Sequence, residues 1–345
     1  MKLRFVRGLL WLVLAGVTLW AFGALWFDFP NSFLRKPIAI GYALGAIVIF
    51  FAIKHRWRAQ MFVAAGFAIV LAWWLTLQPS NDRPWQPNVA RTGWAEIDGD
   101  RVILHNVRNC EYRTETDYTP RWERRDVDLT QLRGVDLAIT YWGSKYMAHP
   151  IVSFQFDNAP PICFSIETRL EHGEKYSAIG GFYRRCELIY VCADERDVIR
   201  LRTNFRQGED VYLYRTKITP TAARERFRDY VTTLNTLHTD PRWYNAATTN
   251  CTTSIRTQHA AAERKPWDWR ILINGFMDEM LYEKGALAGG LPFAQLKEHA
   301  HINAAAQAAN DAPDFSARIR ADRPGFDHVA VADSATKPNE QNTNR

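Results

Sequence analysis

One cysteine in this chain has the sequence surroundings of a nucleophile. Residues 245–256 have the sequence Asn-Ala-Ala-Thr-Thr-Asn-Cys-Thr-Thr-Ser-Ile-Arg, so small and hydroxylated residues lead into Cys251 and a helix-like pattern follows it. The free N–H groups and the positive dipole end of a helix lower the pKa of a thiol and favour the thiolate, which is the nucleophilic form. The alternative is that Cys251 is a small buried residue beside a helix start, as most cysteines are.

A cysteine nucleophile needs a base within hydrogen-bond reach, and the histidines are the candidates for that base. His259 lies eight residues after Cys251, which is two helical turns or roughly 12 Å and too far for direct contact. His149 is the best placed of the nine histidines, because it enters a predicted strand in the segment 147–154 (Met-Ala-His-Pro-Ile-Val-Ser-Phe). A lone histidine at that position also fits a structural role.

The other cysteines are Cys110, Cys163, Cys186 and Cys192. Cys186 and Cys192 lie on one predicted strand about 20 Å apart, and a disulfide needs Cα atoms within roughly 7 Å. A disulfide from Cys163 to either of them across strands stays open beside reduced, buried thiols. Because no Cys-x-x-Cys or Cys/His cluster has the spacing of a zinc site, we predict neither a metal nor a cofactor.

The first 78 residues are predicted to lie in a membrane. Apolar runs at 8–27, 37–53 and 60–77 contain no charged residue, and each has roughly the 17–25 residues that a helix needs to cross a hydrocarbon core. A signal peptide has one short apolar region, so three successive runs predict three transmembrane helices that stay in the mature protein.

Basic residues predict how these helices are oriented. Six lie before the first helix or in the second loop: Lys2, Arg4, Arg7, Lys54, Arg56 and Arg58. Only Arg35 and Lys36 lie in the first loop. Positive charges favour the cytoplasmic side, so we expect a cytoplasmic N-terminus and a periplasmic C-terminal part from about residue 80. Trp73, Trp74 and Trp85 are then expected near the outer interface, where indole rings are favoured.

The rest of the chain divides into a linker, one large domain and a tail. Residues 79–91 contain three prolines and suit a linker, residues 92–330 form the domain, and the polar residues 331–345 are predicted to be disordered. Strands are predicted at 94–104 (a hairpin about Asp98-Gly99), 135–142, 150–156, 162–167, 185–192 and 211–214, and helices at 222–237, from about 251, from about 271 and at 293–309. Strands followed by helices predict an α+β fold.

The formal net charge of +6 gives little sign of nucleic-acid binding. Lys and Arg are scattered and alternate with Asp and Glu, as in 121–126 (Arg-Trp-Glu-Arg-Arg-Asp), which suits a solvated face. Because there is no clustered basic stripe, we expect no nucleic-acid partner.

Five segments occur in an order that resembles a known bacterial family. They are 148–154, 164–169, 187–191, 194–204 and 244–255, the last with the core Asn-Cys-Thr-Thr. Together they resemble the family of the Lnb N-terminal periplasmic domain, named after the lipoprotein N-acyltransferase Lnb. The resemblance extends over roughly residues 91 to 326, and the segment 314–320 fits the family's ending.

The resemblance implies a papain-like, circularly permuted thiol fold, in which a small antiparallel sheet packs on helices. Cys251 matches the family's nucleophile and His149 its histidine. For the residue that orients the imidazole we expect Glu167, on the strand paired with the one after His149; a salt bridge with Arg169 or another surface residue is the alternative. Asn250 and the backbone N–H of Cys251 are candidates for stabilising an oxyanion.

The resulting expectation is a membrane-anchored periplasmic cysteine acyltransferase or acyl hydrolase that works through a thioester on Cys251. Its partners would be membrane lipids as acyl donors and, in the transfer reaction, lipoproteins as amine acceptors. Two other functions stay open, a papain-like peptidase or amidase acting on cell-wall peptide and a non-catalytic binding module of the cell envelope. The predicted location is the bacterial inner membrane, with several spans.

Overall fold

The computed structural model describes residues 2–257, 268–271 and 273–326. Three long helices come first, α1 (Lys2–Asp28), α2 (Ser32–Ala52) and α3 (Arg56–Leu75). Ten strands follow: β1 (Trp94–Asp98), β2 (Arg101–Arg108), β3 (Glu111–Tyr112), β4 (Tyr118–Thr119), β5 (Trp122–Asp128), β6 (Leu132–Trp142), β7 (Ser144–Phe156), β8 (Ile162–Arg169), β9 (Glu187–Asp194) and β10 (Glu209–Arg215). Between and after them lie α4 (Glu195–Arg200), α5 (Pro220–Thr239), α6 (Cys251–Thr257), α7 (Met277–Glu283), α8 (Phe293–Ala300), α9 (Asn303–Ala308) and α10 (Phe315–Arg318).

The three N-terminal helices are each long and apolar enough to cross a membrane, which agrees with the three predicted runs. They pack on one another through small buried residues, Ala21, Ala24 and Ala39, which let helix backbones approach closely. Asn31 ends the first connection, since its side chain accepts hydrogen bonds from the first backbone N–H groups of α2. Most of the remaining helix surface is apolar and exposed, as lipid contact requires.

One eight-stranded sheet forms the centre of the rest of the chain. Its order is β1-β2-β9-β8-β7-β6-β10, with β5 paired to β2, and its strand pairs are antiparallel except β2 with β9. The predicted hairpin about Asp98-Gly99 is confirmed, because β1 and β2 pair across a turn in which Gly99 has φ 61°, a conformation that glycine adopts without a steric penalty. The sheet is larger than the small sheet predicted.

Helices cover both faces of this sheet because its strands are apolar on both sides. On β7 and β8, Val152 and Phe164 face a cluster that includes Phe227 of α5. Their neighbours Ile151 and Cys163 face a second cluster that includes α9 and α10. The alternation follows the two-residue period of a strand, and the result confirms an α+β fold.

Two predicted helices differ from those in the structure. The helix predicted over 293–309 is broken between α8 and α9, because the backbone N–H of Ile302 donates to the Val211 carbonyl of β10 at 2.9 Å and the chain turns to make that bond. The helix predicted from about 271 begins as 3-10 turns and becomes α-helical only at Met277. The predicted tail 331–345 lies outside the described residues.

The predicted linker is packed against the domain. Trp85 lies in the second core cluster with the Arg169 guanidinium 4.3 Å from its ring centre, and its indole N–H donates to the Asn81 carbonyl. Arg169 also donates to the Val89 and Ala90 carbonyls. The Trp85 ring is buried inside the protein and so does not contact lipid; its position near the outer interface stays a prediction.

Candidate functional site

The strands β7 and β8 form a fork at one end of the sheet. They pair from Ile151 with Ser165 to Phe154 with Ile162 and then separate. Pro150, which precedes Ile151 in β7, has no N–H group to continue the ladder beyond the Ile151–Ser165 pair. Beyond it, His149 pairs with β6 and Glu167 with β9, so the two predicted site residues lie on the two arms of the fork.

A hydroxyl group joins these two side chains. The His149 Nε2 atom lies 2.7 Å from the Ser165 Oγ atom, and that hydroxyl donates to Glu167 Oε1 at 2.7 Å. His149 and Ser165 are both buried. Glu167 is therefore connected to the imidazole through the Ser165 hydroxyl.

The hydrogen-bond chain fixes the tautomer of His149. An ionised carboxylate only accepts hydrogen bonds, so the single proton of the Ser165 hydroxyl is donated to Glu167. The Ser165 oxygen can then only accept from the ring, which requires a proton on Nε2 of His149. The unprotonated nitrogen, and so the atom able to take up a proton, is Nδ1.

Burial and nearby charges keep His149 neutral and Glu167 ionised, the forms that the hydrogen bonds through Ser165 require. Burial, and after it the nearby Arg202 guanidinium, lower the pKa of His149 to about 3, so the ring is neutral at neutral pH. Burial alone would raise the pKa of Glu167, but the positive charges of Arg108 and Arg202 outweigh it and lower that pKa to about 2. Glu167 is therefore a carboxylate beside a neutral imidazole.

Arg202 is a cation that acts on both members of this pair. It is buried in the π-helical turn Leu201–Phe205 that continues α4. Its guanidinium lies 3.6 Å from Glu167 Oε1 and donates to Glu209 at 3.2 Å. Arg169, the alternative partner considered for Glu167, instead donates to backbone carbonyls of the packed linker.

The helix α6 begins at Cys251 and contacts both arms of the fork. Asn250 precedes it and caps it, because its Oδ1 atom accepts from the backbone N–H of Thr253 at 2.8 Å. The Asn250 Nδ2 atom donates to the Ala246 carbonyl at 2.7 Å. The side chain expected to stabilise an oxyanion thus orients the first turn of the helix, with one of its two amide hydrogens engaged.

A cleft of about 680 Å³ opens at the fork. His149, Glu167, Arg202 and Asn250 all line it. The structure therefore brings three of the residues predicted from the sequence to one cleft, beside the helix that starts at the fourth, Cys251. No cluster of His, Cys, Asp or Glu in the described part of the chain could hold a metal ion.

The other four cysteines lack the environment of a nucleophile. All four are buried and free, and burial raises the pKa of Cys110 to about 11 and those of Cys186 and Cys192 to about 12. The disulfides considered for Cys163 do not form, since Cys163, Cys186 and Cys192 are all free. Cys192 lies opposite Phe164 in the ladder and faces the other side of the sheet from Cys163.

Sequence reasoning missed two residues of the site, Ser165 and Arg202. The signal for Ser165 was present, because it lies two residues before Glu167 and therefore on the same face of a predicted strand. Arg202 had no comparable signal among the many arginines of the chain. Only the π-helical turn after α4 places its guanidinium beside Glu167.

Comparison with known families gives one match. Residues 118–275 match the family model described as the Lnb N-terminal periplasmic domain, from β4 to the turn before α7. This confirms the family resemblance found in the sequence over these residues, and the wider extent to about 91 and 326 stays a prediction. No curated protein and no solved structure matches the chain. The family and the three apolar helices fit a protein of the inner membrane with a periplasmic domain.

Proposed function

We propose that residues 118–275, as an Lnb N-terminal periplasmic domain, carry a cysteine acyltransferase or acyl hydrolase site that uses the acyl chains of membrane phospholipids. The observation that supports this most is the chain from Glu167 through Ser165 to His149, at a cleft where a helix begins with Cys251. A cysteine at a helix start, a neutral imidazole and a carboxylate that orients it are the parts that thiol acyl transfer needs.

In the first half of the reaction, Cys251 attacks the ester carbonyl of the lipid. Nδ1 of His149 takes the thiol proton while Nε2–H stays bonded to Ser165, and the imidazolium so formed is stabilised by Glu167. The C–O bond then breaks and the lyso-lipid oxygen leaves with the proton held at Nδ1. The backbone N–H of Cys251 and the remaining amide hydrogen of Asn250 are the donors for the oxyanion.

In the second half, an amine or water attacks the thioester. His149 accepts the proton of the attacking group at Nδ1 and returns it to the sulfur as the C–S bond breaks. With the terminal amine of a lipoprotein the reaction is transfer, and with water it is hydrolysis. No metal or cofactor takes part in this scheme.

The proposed fold is papain-like and circularly permuted. It is supported by a cysteine at the start of a helix that contacts a sheet bearing the histidine, with His149 preceding Cys251 in the chain. In the proposed membrane arrangement α1, α2 and α3 all span the inner membrane, the N-terminus is cytoplasmic and the domain is periplasmic. A reporter active only in the cytoplasm, fused after Arg345, should be silent; activity would contradict this arrangement.

Intact-mass analysis tests the chemistry. Full-length protein in phospholipid nanodiscs, quenched in acid, should gain one fatty-acyl mass, and the Cys251→Ala variant should not. Cys186→Ala is the matched control, because it removes a buried thiol outside the site and should keep the adduct. Neutral hydroxylamine, which cleaves thioesters, should remove the added mass from the wild type.

Two other outcomes would contradict the proposal. A peptidyl mass on Cys251 after exposure to cell-wall peptide, with no acyl mass after exposure to lipid, would identify a peptidase or amidase. No adduct of either kind, together with an unaltered phenotype of cells carrying Cys251→Ala, would identify a non-catalytic module of the envelope.

A further inference from the structure

The loop between β8 and β9 is bound to the ends of the membrane helices. Asp28, the last residue of α1, accepts hydrogen bonds from the backbone N–H of Arg184 at 3.0 Å and from the indole of Trp74 at 2.7 Å. The Arg184 guanidinium stacks on Trp74 at 4.0 Å and donates to the carbonyls of Trp74 and Leu77. It thereby adds a side-chain donor to the backbone carbonyls at the C-terminal end of α3 and just after it.

Tyr183 extends further along α1, into its apolar part. Its ring stacks on Phe27 at 5.4 Å and lies 6.2 Å from the ring of Trp20. A methyl group at Gly23 would overlap the Tyr183 hydroxyl. Gly23 lies five residues before Asp28, about 7.5 Å along the helix axis. The Tyr183 side chain therefore extends back along α1 from the end of this helix, where the backbone of the loop binds Asp28.

The same loop, which packs closely against Phe27 of α1 at Gly180, also exposes large apolar side chains. Ile179 is 65 % exposed and Phe182 is 55 % exposed, although each lies within four residues of Tyr183. Soluble proteins rarely leave a contiguous apolar patch of this kind uncovered. Continuity with the outer ends of α1 and α3 identifies what covers it, namely the lipids of the leaflet in which these helices end.

The apolar surface continues from this loop to the mouth of the cleft. We call the whole set the apolar rim: Tyr146, Met147, Tyr176, Ile179, Phe182 and Ile273, all exposed. Four of its members, all except Ile179 and Phe182, also line the cleft with His149. In the part of the chain that the structure describes, most exposed large apolar side chains outside α1–α3 belong to this rim.

Backbone contacts tie the loop to the segment that leads into Cys251. The backbone N–H of Ala246 donates to the Gly181 carbonyl at 2.7 Å, and the Asn250 side chain donates to the Ala246 carbonyl. A methyl group at Gly181 would lie 3.2 Å from the Ala246 Cβ atom, so the two segments pack closely. The start of α6 is therefore positioned from the same loop that binds the membrane helices.

We propose that the apolar rim dips into the periplasmic leaflet and that a phospholipid enters the cleft sideways from the bilayer, without passing through water. This proposal rests on the proposed function for the chemistry. It adds that the substrate is a phospholipid within the bilayer and that it enters from the side. Burial of Ile179 and Phe182 in the leaflet is favourable because it removes apolar surface from water. An acyl chain then passes from the leaflet over Tyr176 and Met147 to His149.

Fluorescence quenching tests the position of the rim without any turnover. Full-length protein carrying Cys251→Ser receives one new cysteine, by Ile179→Cys or Phe182→Cys, and is labelled with NBD in nanodiscs of phosphatidylethanolamine and phosphatidylglycerol. Nitroxide-bearing lipids, with the nitroxide near the top of the acyl chain, should quench both labels and their emission should shift to the blue. Ile97→Cys on β1, which is 43 % exposed, is the matched control and should show neither effect. Equal quenching at all three positions would overturn the proposal.

A substrate comparison tests the route. Phe182→Glu should slow acyl-adduct formation from bilayer phospholipid by at least about tenfold, because a carboxylate avoids the apolar layer, and should react normally with a water-soluble short-chain ester. Ile97→Glu should be normal with both substrates. Equal loss on both substrates, or none on either, would overturn lateral entry. If the wild type forms no acyl adduct, the proposed function fails, and the quenching result still decides whether the rim lies in the leaflet.

Discussion

The hydroxyl of Ser165 decides which nitrogen of His149 can act as a base. Its only proton is donated to Glu167, so the imidazole must present Nε2–H to it and keep Nδ1 free. A carboxylate in direct contact would impose the same tautomer, but here the charge lies one residue further away. In the proposed mechanism Glu167 is thus a positioning residue that acts through Ser165.

The Ser165→Ala variant should lower acyl-adduct formation by about 10²-fold or more, because the imidazole loses the partner that fixes its tautomer. Ser153→Ala is a matched control, since Ser153 is an equally buried serine that donates to Glu195 at 2.7 Å on the same sheet. Both variants should lose about 1 kcal/mol of unfolding free energy. Equal activity in the two variants would contradict the role of Ser165.

The lowered pKa of His149 predicts a pH dependence of stability. The unfolded chain takes up a proton at the ordinary histidine pKa of 6.5, whereas the folded ring does so only near 3. The free energy of unfolding therefore falls by about 1.4 kcal/mol for each pH unit below 6.5. Above that pH the contribution of His149 is complete, and below about 3 no further loss follows.

A comparison of the wild type with His149→Asn at pH 7 and pH 5 measures this effect. The wild type should lose about 2 kcal/mol more than the variant between these values. A difference between the two proteins is needed because burial raises the pKa of Glu187 to about 7, which acts in the opposite direction. A parallel fall in both proteins would show that His149 titrates normally.

Substitutions of Asn250 can distinguish its role as a helix cap from its proposed role in stabilising the oxyanion. Asn250→Asp keeps the oxygen that accepts from Thr253 but removes the amide hydrogens, so helix α6 should persist while adduct formation falls by about 10²-fold. Asn250→Ser also keeps a capping oxygen and serves as the control for stability. Full activity of Asn250→Asp would leave the backbone N–H of Cys251 as the remaining donor of this pair.

The turn Asn274–Phe276 packs against the hairpin of β6 and β7, which carries His149. The Asn274 side chain accepts from the backbone N–H of Ala148 at 2.9 Å, and the Gly275 carbonyl accepts from the Tyr141 hydroxyl at 3.1 Å. Gly275 lies so close to β7 that a methyl group there would overlap the carbonyl of Lys145. The glycine is required by this close approach.

Gly275→Ala should therefore lower the free energy of unfolding by about 1–3 kcal/mol, the range for overpacking, and should also reduce activity, since β7 must shift near His149. Gly134→Ala is the matched control, because the nearest atom to its added methyl group would be Arg215 Nη1 at 3.7 Å, an ordinary contact. Thermal unfolding of the full-length protein measures both variants. A neutral Gly275→Ala would show that the turn does not support β7.

Local sequence patterns predicted most helices and strands, whereas contacts between distant residues determined where some of them end. Alternating residues predicted the hairpin of β7 and β8, and Thr219 with Pro220 predicted the start of α5, which the Thr219 hydroxyl caps. The break after α8 could not be predicted, because its cause is a bond from Ile302 to Val211, ninety-one residues earlier in the chain. In the same way, the predicted strands and the family resemblance pointed to His149 and Glu167, but nothing in the sequence pointed to Arg202 in the π-helical turn.

Arg320 joins the segment that follows α10 to strand β6 and helix α4, which are distant from it in the sequence. Its guanidinium donates to Asp136 at 2.8 Å and to Glu195 at 2.7 Å, and all three side chains are buried. Arg215 also donates to Asp136. Two carboxylates are thus compensated inside the protein by arginines from distant parts of the sequence.

Arg320→Met should lower the free energy of unfolding by about 3–5 kcal/mol, because it leaves buried carboxylates without their cation. Arg318→Ala is the matched control; its exposed pair with Asp314 should contribute less than about 1 kcal/mol. Chemical unfolding of the full-length protein in detergent gives both values. A small effect of Arg320→Met would mean that Arg215 alone compensates Asp136.

The contacts of Tyr183 and Arg184 with α1 and α3 bear on how this enzyme candidate can be handled in the laboratory. A fragment that starts at residue 79 would contain none of the three apolar helices, but it would also lose Gly23, Phe27, Asp28 and Trp74, against which its own loop is folded. Without these contacts the loop would lose its fixed conformation around Gly181. Because Gly181 binds Ala246, the segment that leads into α6 would lose its support as well. Inactivity of such a fragment would report a missing template for folding and would carry no information about Cys251.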